Sequence, residues 1–264
     1  MKVAVISNQS MQTGKSSLIL MLASTFARTQ HKRVILLSTG DMKDMLDQAY
    51  VDYRAENTKS VQVYRAALKT ALVSRSDCLD YGMRVGDEEV FAFNLFATTM
   101  ERNELEELFL ATMNTVRVEL TLVEVKGDLD DPFNKRVLSE SDAILNVFNT
   151  SPASLDAVLN YRNNFDAKCV LRTGYVCQKY DANALSESRV AKAIEINKRN
   201  LLAIPYNSAV IVKSYNKELN TIGQLVAEGN SAVIDLRMKL LEIMQYLFDD
   251  GKYKYIKGVS EWYK

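Results

Sequence analysis

Proline and glycine are scarce, at three and ten residues in a chain of 264, and no Gly/Ser-rich linker, internal repeat or low-complexity tract interrupts the sequence. That excludes a tethered multidomain string or a fibrous protein. The three cysteines (Cys78, Cys169, Cys177) are an odd set without a C-x-x-C pair, which excludes a disulfide scaffold or a thiolate zinc site. They are expected to be buried small hydrophobes in a reducing compartment. His31 is the only histidine, and nothing pairs it with a nucleophile; it is expected at the surface before the second strand. Charge of one sign is also missing, because 33 Lys and Arg balance 33 Asp and Glu. Nonspecific nucleic-acid binding normally needs a basic excess, so any such contact would require a local patch. No apolar run approaches the ~18 residues of a membrane span, and Met1-Lys2 leads into a strand rather than a signal peptide. The expectation is a cytoplasmic protein.

What is present is ordinary globular composition, 47% hydrophobic and 25% charged, with length enough for one large α/β domain. Val/Ile/Leu-rich runs at Val3–Ile6, Val34–Leu37, Val90–Phe93, Leu120–Val125, Ala143–Phe148, Cys169–Val176 and Leu201–Ile204 read as strands buried on both faces, as in a parallel sheet. Helix-period stretches lie between them, at Leu18–Arg28, Val61–Leu72 and Glu104–Met113. Ser151-Pro152 is an N-cap followed by proline at the first helical position. Further helices are expected from about Ser186 and through Val233, Leu236, Leu240, Ile243 and Leu247, ending near Gly251. The scattered methionines read as core fillers. The fold expected is a doubly wound, mostly parallel sheet with helices on both faces, ligands sitting at the carboxyl ends of the strands.

One junction carries chemistry. Residues 7–17 (SNQSMQTGKSS) join the first strand to the first helix. A Gly-Lys-Ser there aims backbone N–H groups and a helix N-terminus at one point, a phosphate cradle. Lys15 would reach β- and γ-phosphates and Ser16 would ligate Mg²⁺, with Gln12, Thr13, Gly14 and Ser17 completing the loop. The full pattern G-x-x-x-x-G-K-[ST] is not met, since its first glycine falls on Gln9. An ordinary strand-to-helix turn with an exposed lysine is the other reading of these residues.

Three further segments fall in order. Residues 141–158 (SDAILNVFNTSPASLDAV), 176–181 (VCQKYD) and 203–210 (AIPYNSAV) are similar to the "aDevilVttPe..Sl.dA", "vlNkyD" and "aIPyDpaV" segments of MinD/ParA-type P-loop ATPases. With the Lys15 loop the resemblance runs from residue 1 to about 248, and its character is nearest to the divergent TadZ/CpaE-like members. It implies a P-loop nucleotide-binding domain over residues 1–250 and ATP with Mg²⁺ as cofactors. It also implies a homodimer and a protein partner in a larger assembly of the pilus, secretion or conjugation type. Gln178 would stand for the adenine-binding asparagine, and Pro205 and Tyr206 would offer backbone contacts to the base, unless Pro205 simply ends a strand. Glu124 would stand for the Walker B aspartate as metal ligand and catalytic carboxylate. Asp41, one residue out of register with the family's D-x-D, is either a water-positioning residue or a turn aspartate. Asp128 and Asp130 are nearby substitutes for Glu124, or a solvated acidic loop.

Departures from the family weigh equally. Ser10, Met11 and Gln12 stand where the family has Lys-Gly-Gly, so the trans-acting lysine and two glycines are gone. Glu124 is one methylene longer than aspartate, which bears on octahedral Mg²⁺ geometry. The resulting expectation is a nucleotide-binding switch or scaffold with weak ATPase activity or none. The alternatives are a DNA-partitioning ATPase, disfavoured by the neutral charge, and a pseudo-ATPase without nucleotide. The tail, residues 251–264, interleaves lysines with Tyr253, Tyr255 and Trp262. Its chemistry suits an anionic membrane surface and recruitment to the inner face, or contact with the body or a protein partner, the use favoured here.

Overall fold

The computed structural model describes residues 1–8, 13–49, 61–70, 77–86, 89–96, 100–183 and 185–248. Ser10, Met11, Gln12 and the 251–264 tail lie outside them. In chain order the elements are β1 (Lys2–Ile6), α1 (Lys15–Gln30), β2 (Val34–Ser38), α2 (Lys43–Leu46), α3 (Val61–Lys69), β3 (Met83–Arg84), β4 (Val90–Phe93) and α4 (Arg102–Thr115). They continue with β5 (Leu120–Glu124), α5 (Pro132–Glu140), β6 (Ala143–Phe148), α6 (Pro152–Asn164), α7 (Ala167–Leu171), β7 (Thr173–Tyr180) and α8 (Glu187–Ala193). The last are β8 (Leu201–Pro205), α9 (Ser208–Tyr215), α10 (Ile222–Ala227) and α11 (Ile234–Phe248).

Eight strands form one sheet in the order β3-β4-β2-β5-β1-β6-β7-β8. Every pairing is parallel except the antiparallel edge contact of β3 with β4. The two-residue period sorts β1 between two cores. Val3 and Val5 face the layer of α1, α10 and α11, while Ala4 and Ile6 face that of α3, α4 and α5. Helix α1 is the most enclosed, with all residues from Leu18 to Ala27 buried, and Phe26 stacks on Phe248 of α11 at 5.2 Å. This is the doubly wound architecture that the apolar runs predict.

One reading of the chain is corrected, and one helix is added to those expected. Cys169–Leu171 belongs to α7 and not to a strand, because Asp166 caps it by accepting the N–H groups of Lys168 and Cys169; the strand begins at Thr173. The acidic loop after β5 leads into α5, capped by Asp131, whose side chain accepts from Phe133 and Asn134 ahead of Pro132 at the first helical turn. All three cysteines are buried and free, as expected, and His31 is exposed in a left-handed conformation at the C-cap of α1. No helix among the described residues is long and apolar enough to cross a membrane.

Candidate nucleotide site

β1 lies between β5 and β6, and residues 13–17 at the head of α1 stand at the carboxyl edge of the sheet. A cleft of about 1480 Å³ lies there, lined among others by Thr13–Ser17, Glu124, Lys126, Gln178, Pro205 and Tyr206. Gly14 is the N-cap of α1 at φ 82°, so the left-handed turn that points N–H groups into the cleft falls on a residue that adopts it without steric cost. A Cβ at that position would also meet Gln178 Oε1 at 2.4 Å.

The expected residues converge. The Ser16 hydroxyl donates to Glu124 Oε1 at 2.5 Å, and Lys15 Nζ donates to the carbonyl of Val125 at 2.5 Å. Ser17 donates to Gln48 Oε1 at 2.6 Å. Burial holds the Lys15 ammonium below its ordinary pKa; Glu124 opposes that shift and Lys126 adds to it. Desolvation disfavours a cation, and an anionic phosphate entering the cleft would reverse the balance.

Gln178 touches the cradle itself, donating from Nε2 to the carbonyl of Gly14 at 3.0 Å, and so ties the end of β7 to the loop. Pro205 ends β8 at the rim with Tyr206 exposed beside it. Asp41 is placed as a turn aspartate: its Oδ1 accepts from the Lys43 N–H at 3.0 Å and from Asn94 Nδ2 at 3.1 Å. Asp128 accepts from the Asp130 N–H at 2.9 Å, and Asp130 pairs with Lys135 at 2.8 Å, the geometry of a self-contained acidic loop. Gln12 lies outside the described residues.

Sequence reasoning passed over Lys126, two residues beyond Glu124. Its Nζ donates to the carbonyl of Asp41 at 2.5 Å and stands 3.6 Å from Glu124 Oε2 and 3.8 Å from Asp44 Oδ2. The signal was available, since a lysine two positions past an expected metal carboxylate brings a second cation to the strand end.

This placement decides how the magnesium expected from the resemblance fits. Glu124 is 1% exposed, and its Oε2 has no hydrogen-bond partner among the described residues. An orphaned buried oxygen beside a serine hydroxyl suits a cation, but the ammonium of Lys126 already faces it. An ion ligated by Oε2 at ~2.1 Å would lie within roughly 6 Å of that ammonium, and a divalent charge there repels a unit charge by about 6 kcal/mol at an effective dielectric of ~20. With Lys126 in this position the donor set does not fit a divalent ion. No group of three or more His, Cys, Asp or Glu side chains among the described residues could hold a metal either.

No family model matches the sequence, and no curated protein matches it. Solved structures do. A chain of the MinC:MinD cell division protein complex of Aquifex aeolicus superposes with a TM-score of 0.66 at 11% identity, over 92% of this chain and 95% of that one. A ParA family ATPase from Chlorobium tepidum gives 0.65 at 15% identity over 91% and 97%. The septum site-determining protein MinD of Pyrococcus horikoshii, complexed with Mg-ADP, gives 0.64 at 13% over 96% and 99%. With this sheet order, a lysine loop at the head of α1 and superposition over almost the whole length, the chain has the fold of the MinD/ParA-type P-loop ATPases.

Proposed function

We propose that the chain binds ATP at the Lys15 loop and acts as a nucleotide-dependent switch or scaffold with slow hydrolysis or none. The observation that carries the reading is the convergence of Lys15, Ser16 and Glu124 in a large cleft at the strand ends, beneath a glycine-capped helix. Support comes from proteins of the same fold solved with Mg-ADP or, for a Borrelia burgdorferi partition protein, AMPPNP. Backbone donors, a helix N-terminus and one lysine suffice for binding. Rapid hydrolysis also needs neutralisation of the transferring phosphoryl group and a positioned water. Ser10, Met11 and Gln12 supply no lysine for the first, and Asp41 is engaged in a turn. Magnesium is left out of the reading on the geometry given above.

Homodimerisation on nucleotide binding, a protein partner and a place in a pilus- or secretion-type assembly are proposed on the TadZ/CpaE-like character of the sequence, with the tail as a contact for protein before membrane. A second reading, a scaffold without nucleotide, is favoured by one observation: Lys15 Nζ is folded back onto the Val125 carbonyl.

The test is thermal unfolding with and without ATP, each in magnesium buffer and in EDTA, together with sizing of both states. A ligand at 100 times its Kd adds about 2.7 kcal/mol of stability, and Lys15→Ala removes the gain. No shift under any condition selects the scaffold without nucleotide, and an equal shift in Lys15→Ala shows that ATP binds elsewhere than at the Lys15 loop. Phosphate release by the isolated chain is expected to stay below ~1 s⁻¹, the lower end of ordinary enzyme turnover.

A further inference from the structure

We infer that Lys126 is a built-in cation at this site, so that nucleotide binds without a divalent metal. The inference rests on the nucleotide reading for its ligand, but its core claim, that Lys126 fills the cation position, stands or falls separately.

The lysine is anchored from both ends. Its backbone N–H donates to Thr39 Oγ1 at 2.9 Å, and its carbonyl accepts from Asn134 Nδ2 at 2.9 Å. The aliphatic stem runs over Gly40, where an added Cβ would meet Cδ of Lys126 at 3.3 Å. A side chain at position 40 would press on the stem, so the glycine keeps its course open. The ammonium ends among three oxygens of different origin, the Asp41 carbonyl and the carboxylates of Glu124 and Asp44. One of its three donors goes to the Asp41 carbonyl, and the two carboxylates stand at ion-pair distance, 3.6 and 3.8 Å.

The carboxylate side of the arrangement points the same way. Glu124 is buried, and among the described residues one of its oxygens accepts from Ser16 while the other has no hydrogen-bond partner. A buried charge needs a counter-charge nearby. Lys126 supplies one that is covalently attached, 26% exposed and on the wall of the same cleft as Lys15 and Ser16. A triphosphate entering the cleft would meet two ammonium groups and a helix N-terminus, and the neutralisation that a metal ordinarily provides would come from the chain.

Two measurements test this on the full chain. The first is ATP affinity of the unmodified protein by calorimetry in Mg²⁺ and in excess EDTA. The second is Mn²⁺ binding without nucleotide, read by the loss of its free-ion electron paramagnetic resonance signal, for the unmodified protein and for Lys126→Met, which keeps the stem and removes the charge. The result expected is equal ATP affinity in the two buffers and no Mn²⁺ uptake. Lys126→Met should bind ATP ~10- to 100-fold more weakly in EDTA, the worth of a charge-assisted contact, recover in Mg²⁺ and take up Mn²⁺. If the unmodified chain needs Mg²⁺ for ATP, or takes up Mn²⁺ with Lys126 present, the inference is overturned without harm to the nucleotide reading. If ATP binds in neither buffer while Lys126→Met alone gains Mn²⁺, the nucleotide reading fails and Lys126 stands as the cation. If that variant gains no Mn²⁺ and its ATP affinity in EDTA is unchanged, Lys126 has no such role. Lys126→Gln, neutral and able to keep an N–H donor towards these oxygens, replaces Lys126→Met should the latter lose its circular dichroism signature; the measurements on the unmodified chain need no variant.

Discussion

Gly14 carries two constraints at once, a left-handed backbone and a side chain pressed against the place its Cβ would take. Gly14→Ala should therefore cost roughly 2–4 kcal/mol, the sum of a left-handed alanine and local overpacking, read as a fall in the urea midpoint. Adding Gln178→Ala removes the steric part and leaves the backbone part, so the double variant should lose less than the sum of the singles. Additive losses would show that Gln178 does not press on the loop. Lys15 yields a prediction of opposite sign. Because burial lowers its folded-state pKa, the unfolded chain binds more protons between the folded and unfolded values, and stability rises with pH across that window. Below the window the folded state carries a penalty for the charge. Lys15→Met should thus stabilise the empty protein at neutral pH, and the gain should shrink as pH climbs towards the ordinary lysine value. A loss of stability instead would mean that the bond to Val125 outweighs desolvation.

At the scale of elements, α1 and α10 approach so closely that a Cβ on Gly223 would lie 2.3 Å from the carbonyl carbon of Ser24, whose hydroxyl accepts the Gly223 N–H at 3.1 Å. Alanine is the better helix former by about 1 kcal/mol, yet backbone cannot yield as a flexible side chain does. Gly223→Ala is expected to destabilise by ~1–3 kcal/mol net; thermal unfolding with the variant at or above the parent midpoint would refute that. This contact was not legible in the sequence, since it depends on how two helices 199 positions apart in sequence cross. The strands were legible, because parallel strands buried on both faces read as unbroken apolar runs. The reading failed where an apolar helix abuts a strand, at Cys169–Leu171, because periodicity cannot separate such short runs. It also passed over α5, although Asp131-Pro132 carries the same cap-and-proline signal as Ser151-Pro152. For the site, Lys15, Ser16 and Glu124, which the structure brings together, were expected from position and resemblance, whereas Lys126 and Asp44 were not. Their meaning lies in the fold, which brings the loop after β2 against the end of β5.

For the whole molecule, the balance of charge bears on the choice between a switch that docks protein and an ATPase that binds DNA. Nonspecific DNA affinity comes from lysines and arginines that neutralise phosphates and release counterions, with a salt slope of about −0.9 per contact. Here the formal charge is zero, and many of the surface cations among the described residues already face carboxylates. Arg33 pairs with Glu89, Arg65 with Glu104, Arg102 with Glu106 and Asp131, Arg136 with Glu140, and Arg162 with Glu195. Each exposed pair is worth little to stability, ~0–1 kcal/mol, but its carboxylate stays beside the cation and repels an approaching phosphate. A duplex would gain charge contacts on one side of such a pair and lose on the other. Fluorescence anisotropy of a labelled random duplex with the ATP-loaded protein should show no binding in the micromolar range at physiological salt, and at low salt only a shallow slope of about −2 or less in magnitude. A slope of five or more contacts, dependent on ATP, would show that dimerisation assembles a basic face absent from the single chain, and would move the partitioning function ahead of the protein-docking switch.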